Sequence, residues 1–190
     1  MTTASLLPAR RRVRQDPAER RRALYHLSSP VSVLTTGPET RMHGTTASTV
    51  TLVSREPLLV GVALAAGSSF AQRAAAEGRF TVNVLDGEQA DVARRFADHA
   101  RPDGNAQFAG LAWTTDPYAK APLIEGALAH YVCRFHSAHP AGDSELLLGY
   151  VVRATADAGT GSPLFHSPLL SYAGGLYAGS LRPAKETAAS

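Results

Sequence analysis

A chain of 190 residues with 44% hydrophobic and 18% charged side chains has the size and composition of one globular domain able to bury a core without disulfides or metals. A mean hydropathy of −0.10, with no apolar run near the roughly 18 residues of a membrane span, excludes a helical membrane protein. Arginines stand where a signal peptide would carry its apolar segment, so a cytoplasmic location is expected.

The formal net charge of +3 rests on a basic leader in which Arg10, Arg11, Arg12, Arg14, Arg20, Arg21 and Arg22 crowd together. Clustered arginines can bind phosphates by counterion release. Nothing nearby supplies the stacking platform or helix-turn-helix pattern of a specific nucleic-acid binder, so residues 1–15 read as a flexible, solvated leader. Asp16-Pro17-Ala18-Glu19 then combines an N-cap, a proline at the first helical position and a glutamate three residues after the cap. A helix is expected from there to about Leu27. Val31 to Thr36 is a β-branched run closed by the turn Gly37-Pro38-Glu39-Thr40, which predicts a strand entering a hairpin.

Met42 to Ser54 is small and hydroxyl-rich where a core strand would be aliphatic. Pro57 to Leu64 is apolar throughout, the pattern of a strand buried on both faces at the centre of a barrel. Ser68 and Ser69 cap a short helix that runs to Glu77 and stops at Gly78. Arg79 to Leu85 alternates as a half-buried strand, and Gly87 to Phe96 suits a helix with Val92, Ala93 and Phe96 inward. After loop chemistry from Ala97 to Asn105, strands are expected over Leu111–Thr115, Ala127–Ser137, Leu146–Ala154 and Leu169–Ala173. Many short strands with a few small helices indicate a mainly β fold, an antiparallel barrel. It forms a single domain over residues 16–180, followed by a flexible tail at 181–190.

No P-loop, GxGxxG turn, GxSxG elbow or HExxH site is present, and the seven histidines lack ligand spacing, so no metal is expected. The single cysteine, Cys133, lies in an alternating strand pattern and reads as a packed core residue. Within Gly44 to Ser54, glycine permits close backbone approach and Thr45, Thr46, Ser48, Thr49 and Ser54 offer hydroxyls. Taken alone, that stretch reads more readily as a threonine-rich strand on a solvent-facing sheet.

The string His43-Gly44-Thr45-Thr46-Ala47-Ser48-Thr49, continuing to Val53-Ser54-Arg55-Glu56-Pro57-Leu58-Leu59-Val60, resembles the signature of flavin reductase-like proteins with the FMN-binding split-barrel fold. Ser68-Ser69-Phe70, Gly78 to Leu85, Ala93 to Ala97, Phe108-Ala109-Gly110, Pro122 to Ala127 and Gly142-Asp143 follow in the family's order, so the resemblance covers about residues 30–177. It implies a Greek-key split barrel that binds FMN or FAD and takes hydride from NADH or NADPH. The isoalloxazine ring would lie along Thr45, Thr46, Ala47 and Ser48. The phosphate would meet Ser54, Ser68 and Ser69, the last two opening a helix whose N-terminus favours anions. Arg95 and Phe96 belong to the segment that closes over the cofactor, with Arg95 or Arg101 as counter-charge, and Tyr172 to the aromatic closing segment. Many members carry Gly-Asp-His where this chain has Gly142-Asp143-Ser144. Asp143 and Ser144 therefore stand at the nicotinamide side without the family's imidazole, a gap that His139 or His166 would fill from nearby.

The function implied is a reductase that supplies reduced flavin to a flavin-dependent monooxygenase partner. The alternatives are a flavoprotein that keeps its flavin and acts on an organic substrate, and a non-catalytic flavin binder. A homodimer is expected.

Overall fold

The computed structural model describes residues 29–156 together with the backbone of 169–172 and 176–179. The arginine-rich leader, the helix expected over 16–27, His166 and the tail lie outside the described residues.

The chain forms strands β1 (Ser29–Pro30), β2 (Ser32–Thr36), β3 (His43–Ala47), β4 (Thr51–Arg55) and β5 (Leu58–Ala65), helix α1 (Ser69–Glu77), strand β6 (Arg79–Val84) and helix α2 (Ala90–Ala97). A 3-10 turn (Gly104–Phe108) follows, then β7 (Trp113–Thr115), β8 (Pro122–Ile124), β9 (Ala129–Ala141), β10 (Ser144–Ala156), β11 (Leu169–Tyr172) and β12 (Leu176–Gly179). Seven strands make one antiparallel sheet in the order β3-β2-β6-β9-β10-β5-β4. The segment just past β3 reaches β5 on the far side of the sheet through Thr49, whose hydroxyl donates to the Ala63 carbonyl at 2.7 Å and accepts the Ala63 N–H at 3.1 Å. The sheet is thereby curled into a barrel, the mainly β class that the strand pattern predicts. A three-stranded sheet β1-β11-β12 and the small hairpin β7-β8 complete the architecture.

Two cores explain why β2 is buried along its whole length. Leu34 points into the barrel with Val60, Val62, Leu64, Phe80, Val82 and Leu147. Val31 and Val33 point outward against Met42, Ala93, Phe96, Phe108 and Ile124, so α2 and the 3-10 turn cover that outer face. Helix α1 seals the barrel with Phe70, Ala71 and Ala74, and Phe70 meets Phe80 edge-on with centroids 6.2 Å apart. Its ends follow the sequence signals: Ser68 Oγ accepts the Ala71 N–H, and Gly78 closes the helix in the left-handed conformation at φ 69°. Cys133 is buried in the barrel core, and burial pushes its thiol up to about 12, which leaves it a packing residue.

Three expectations change. The hydroxyl-rich stretch 42–54 is not one strand: it breaks after Ala47, and its halves β3 and β4 form opposite edges of the sheet. The apolar strand β5 is next to an edge, and the central position belongs to β9. Strand β4 pairs beside β5 as the edge strand, and a Cβ on Gly61 would lie 2.8 Å from the Val53 side chain. Finally, β8 carries no strand signal in its sequence. It is held by a buried polar cluster rather than by its own sequence pattern. Asn83 donates to the Val33 carbonyl and accepts the Ile124 N–H, both at 2.9 Å, while Thr81 donates to the Pro122 carbonyl at 3.0 Å. Such a cluster persists only because each buried polar group has a partner.

Candidate functional site

Among the described residues, strand β3 has β2 on one side and no strand on the other. Residues of an antiparallel strand direct N–H and C=O to alternate sides, so His43, Thr45 and Ala47 bond to β2 and the even-numbered residues face the free edge. At the start of the strand that edge is satisfied from the loop after α2. Asn105 Oδ1 accepts the Met42 N–H at 3.3 Å, Gln107 Oε1 accepts the Gly44 N–H at 3.0 Å, and the Arg101 guanidinium donates to the Gly44 carbonyl at 3.1 Å. Beyond Gly44 the alternation leaves the backbone groups of Thr46 facing a cavity, which Ser48, just past the strand, also lines.

That cavity, about 450 Å³, is lined by Thr45, Thr46, Ala47, Ser48 and Thr49, by Ala63, Leu64 and Ala65 of β5, by Ser68 and Ser69 at the start of α1, and by Phe96, Ala97, His99 and Arg101. Its volume is in the range of ligand clefts. None of these lining residues is acidic. The Thr46 hydroxyl donates to the Ala93 carbonyl of α2 at 2.7 Å, and Thr49 holds the barrel closed, so among the described lining residues Thr45, Ser48, Ser68 and Ser69 carry the hydroxyls available to an occupant. Arg101 donates to the carbonyls of Gly44 and Asp98, and its Nε is buried without a partner among the described residues. With the N-terminus of α1 opposite, the site favours an anion that also presents hydrogen-bonding atoms along one edge.

Below the cavity floor, His43 is 4% exposed. Its Nδ1 lies 3.2 Å from Gln107 Nε2 and its Nε2 lies 3.3 Å from Ser69 Oγ. Burial first, then the guanidinium charges of Arg73 and Arg101, lower its pKa to about 4, against a smaller opposing effect of Asp103. The imidazole is therefore neutral at physiological pH. Because the folded-state value lies below the ordinary 6.5, the unfolded chain takes up this proton first. The stabilisation is complete above about pH 6.5 and is lost as pH falls toward 4. The expected loss is on the order of 2–3 kcal/mol. It is read as a steeper fall of melting temperature between pH 7 and pH 4.5 than in a His43→Gln variant; parallel curves would remove His43 as the cause.

Of the residues singled out from sequence, Thr45, Thr46, Ala47, Ser48, Ser68, Ser69 and Phe96 are brought together in this one cavity, with Arg101. Arg95 is turned away and donates to the Ala109 carbonyl at 2.8 Å. Ser54 pairs with Leu59, six residues along β5 from Ala65, on the order of 20 Å at strand rise, so it is not brought to the cavity. Asp143 and Ser144 stand at the rim: Ser144 pairs with Ala65, and the Asp143 carbonyl accepts the Ala66 N–H at 3.2 Å. The Ser144 hydroxyl donates to the Asp143 carboxylate at 3.1 Å. His139 sits across β10 on the same sheet face as Ala63, with Leu146 between them. Tyr172 belongs to β11, paired with Ser29. His99, Ala63 and Ala65 of the lining and the His43–Gln107 pair have no role among the sequence expectations. Nothing local in their sequence marks them, since each gains its place from a partner strand or loop.

Comparison with known proteins agrees with this geometry. The family model described as Flavin reductase like domain matches residues 24–180. An NADH-dependent FAD reductase of Streptomyces globisporus is 38% identical over 143 residues, covering 74% of this chain and 78% of the relative. The reductase subunit of a flavin-dependent monooxygenase from Mycobacterium tuberculosis is 34% identical over 174 residues, covering 92% and 87%. Among solved structures, the Streptomyces globisporus NADH:FAD oxidoreductase in complex with NAD and FAD fragments superposes with a TM-score of 0.74 at 32% identity, covering 90% of this chain and 97% of that one.

Proposed function

The chain belongs to the flavin reductase-like family, and on that premise we propose that it is an NAD(P)H:flavin oxidoreductase that carries hydride from NADH or NADPH to FMN or FAD and supplies reduced flavin to a partner monooxygenase. One observation carries the reading: the unpaired edge of β3 opens on a cavity lined without acidic groups at the start of α1. Bound there, the flavin supplies the hydride acceptor. The chain's own residues then position and shield. The backbone between Thr45 and Ser48 offers donors and acceptors to the ring edge, and Ala47 keeps that wall low. Ser68 and Ser69, with the free amides of the first turn of α1 and Arg101, meet the phosphate. Phe96 forms an apolar wall that excludes water. Asp143 and Ser144 at the rim border the nicotinamide side, and Tyr172 is placed there by the resemblance alone. Hydride transfer asks for close stacking more than for acid or base, and positioning supplies most of the acceleration.

A second reading, a flavoprotein that retains its flavin and acts on an organic substrate, is favoured by Ser144, which offers neither the ring nor the proton of the family's histidine. Steady-state NADH and NADPH oxidation with and without added FMN, FAD and riboflavin separates the two. Saturable oxidation that requires added flavin supports the reductase, and a yellow protein that oxidises neither nucleotide sinks it.

We also propose a homodimer. The outer face of β4, β5 and β10 carries Val53 and Val152, each more than 40% exposed, with Leu146 and Leu148 beside Gly61 next to Val53, an apolar surface suited to a second copy. Light scattering is expected to give twice the 20.0 kDa chain mass; a monomer overturns it. Among the described residues no helix is long and apolar enough to cross a membrane, and the cytoplasm is the proposed location.

A further inference from the structure

The hydrogen bonds beneath the cavity run in one direction only. The Gly44 backbone amide is a fixed donor, so the oxygen of the Gln107 carboxamide faces it at 3.0 Å. The NH2 of the same carboxamide is then the group 3.2 Å from His43 Nδ1. An NH2 can only donate, so Nδ1 is the bare, accepting nitrogen and the ring proton sits on Nε2. At 3.3 Å, Nε2–H donates to Ser69 Oγ. A serine hydroxyl that accepts from a ring N–H keeps its own proton for another partner, and Ser69 lines the cavity at the first residue of α1. Gln107 is 1% exposed and His43 4%, and His43 stacks on Phe70 with centroids 6.3 Å apart, so neither ring nor carboxamide has room to turn over.

We propose that His43 is a positioning residue, locked by Gln107 in its Nε2–H form, whose task is to make Ser69 a hydrogen-bond donor to the phosphate of the bound flavin. The inference rests on the flavin reading above and adds two residues that touch no substrate. The charged groups facing His43 are Arg73 of α1 and Arg101 and Asp103 of the loop after α2. The two arginines, with burial, keep the ring from taking a second proton, so the arrangement holds without change from mildly acidic to alkaline pH.

Gln107→Glu tests it while keeping the side-chain shape. One carboxylate oxygen still accepts the Gly44 N–H, but the other can only accept from Nδ1. The neutral ring then carries its proton on Nδ1, and bare Nε2 takes the Ser69 hydroxyl proton away from the ligand. Dissociation constants for FMN and for riboflavin, which lacks the phosphate, are measured for the unaltered protein, Gln107→Glu and Ser69→Ala. At pH 8 both variants are expected to weaken FMN about ten-fold, the scale of one hydrogen bond to a charged group, and to leave riboflavin within about two-fold. In Gln107→Glu the FMN loss should shrink as pH falls and His43 becomes doubly protonated beside the new carboxylate, and it should largely disappear when Gln107→Glu is made in the Ser69→Ala background; a loss that persists there comes from the added charge and overturns the positioning role. If Ser69→Ala raises the FMN to riboflavin ratio and Gln107→Glu does not, the positioning role is wrong and the flavin site stands. If Ser69→Ala leaves the ratio unchanged, the phosphate lies elsewhere and both fall. A second measurement needs no variant: nitrogen chemical shifts of His43 in the unaltered protein are expected to report Nε2–H, and an Nδ1–H ring overturns the proposal.

Discussion

Replacing Ala65 with tryptophan is expected to lower kcat/KM for flavin-dependent NADH oxidation by at least about 100-fold, close to 3 kcal/mol of lost transition-state binding, with the melting temperature within about 2 °C of the unaltered protein. Ala65 is the last residue of β5, is exposed, and lines the cavity. Its backbone pairs with Ser144 of β10, so the strand is held in place whatever its side chain. An indole at this position enters the space between the β3 edge and the start of α1 without touching the barrel core. The comparison of activity with melting temperature separates a blocked site from a damaged fold. Full activity in Ala65→Trp would place flavin outside this cavity and end the assignment of Thr45 to Ser48 and Ser69.

Gly44→Ala should destabilise the protein by about 1–3 kcal/mol, the usual range for overpacking a closed core, and weaken flavin binding at the same time. A Cβ on Gly44 would lie 2.5 and 2.7 Å from two ring carbons of Phe96 and 3.3 Å from Phe108. Both rings are buried and meet each other at 5.0 Å, so neither can retreat. The backbone cannot shift instead, because its N–H and C=O are bonded to Gln107 and Arg101. Phe96 also forms a wall of the cavity, which links the core strain to the ligand. A fall in melting temperature of several degrees is expected for a domain of this size. Adding Phe96→Leu to Gly44→Ala should recover part of the stability but not the flavin affinity. An unchanged melting temperature in Gly44→Ala would show that the ring has room the structure denies it.

The helix ends, the main strands and the neighbourhood of the site are legible in residues close together along the chain. Ser68 and Gly78 bound α1 because a cap hydroxyl and a left-handed glycine act on their own helix. Strand β2 followed from its β-branched run, and the hydroxyl-rich stretch after Met42 was marked by having too little aliphatic bulk for a core strand. Those signals are local, carried by residues within a turn or a pleat of one another. What each of these groups is free to do depends on contacts between distant parts of the chain. Thr46 looks like a donor but its hydroxyl is held by Ala93, 47 residues away, and Thr49 is held by Ala63. Arg95 and Arg101 are alike in sequence, yet one bonds the Ala109 carbonyl and the other grips Gly44 across 57 positions. Ser54 shares the hydroxyl-rich stretch with Ser48 but stands on the opposite edge strand, because the chain breaks after Ala47. The ring proton of His43 is assigned through Gln107, 64 positions along the chain. A hydrogen-bonding group becomes a binding group only when nothing in the fold satisfies it, and that depends on which distant strand or loop arrives beside it, information that periodicity and capping do not contain.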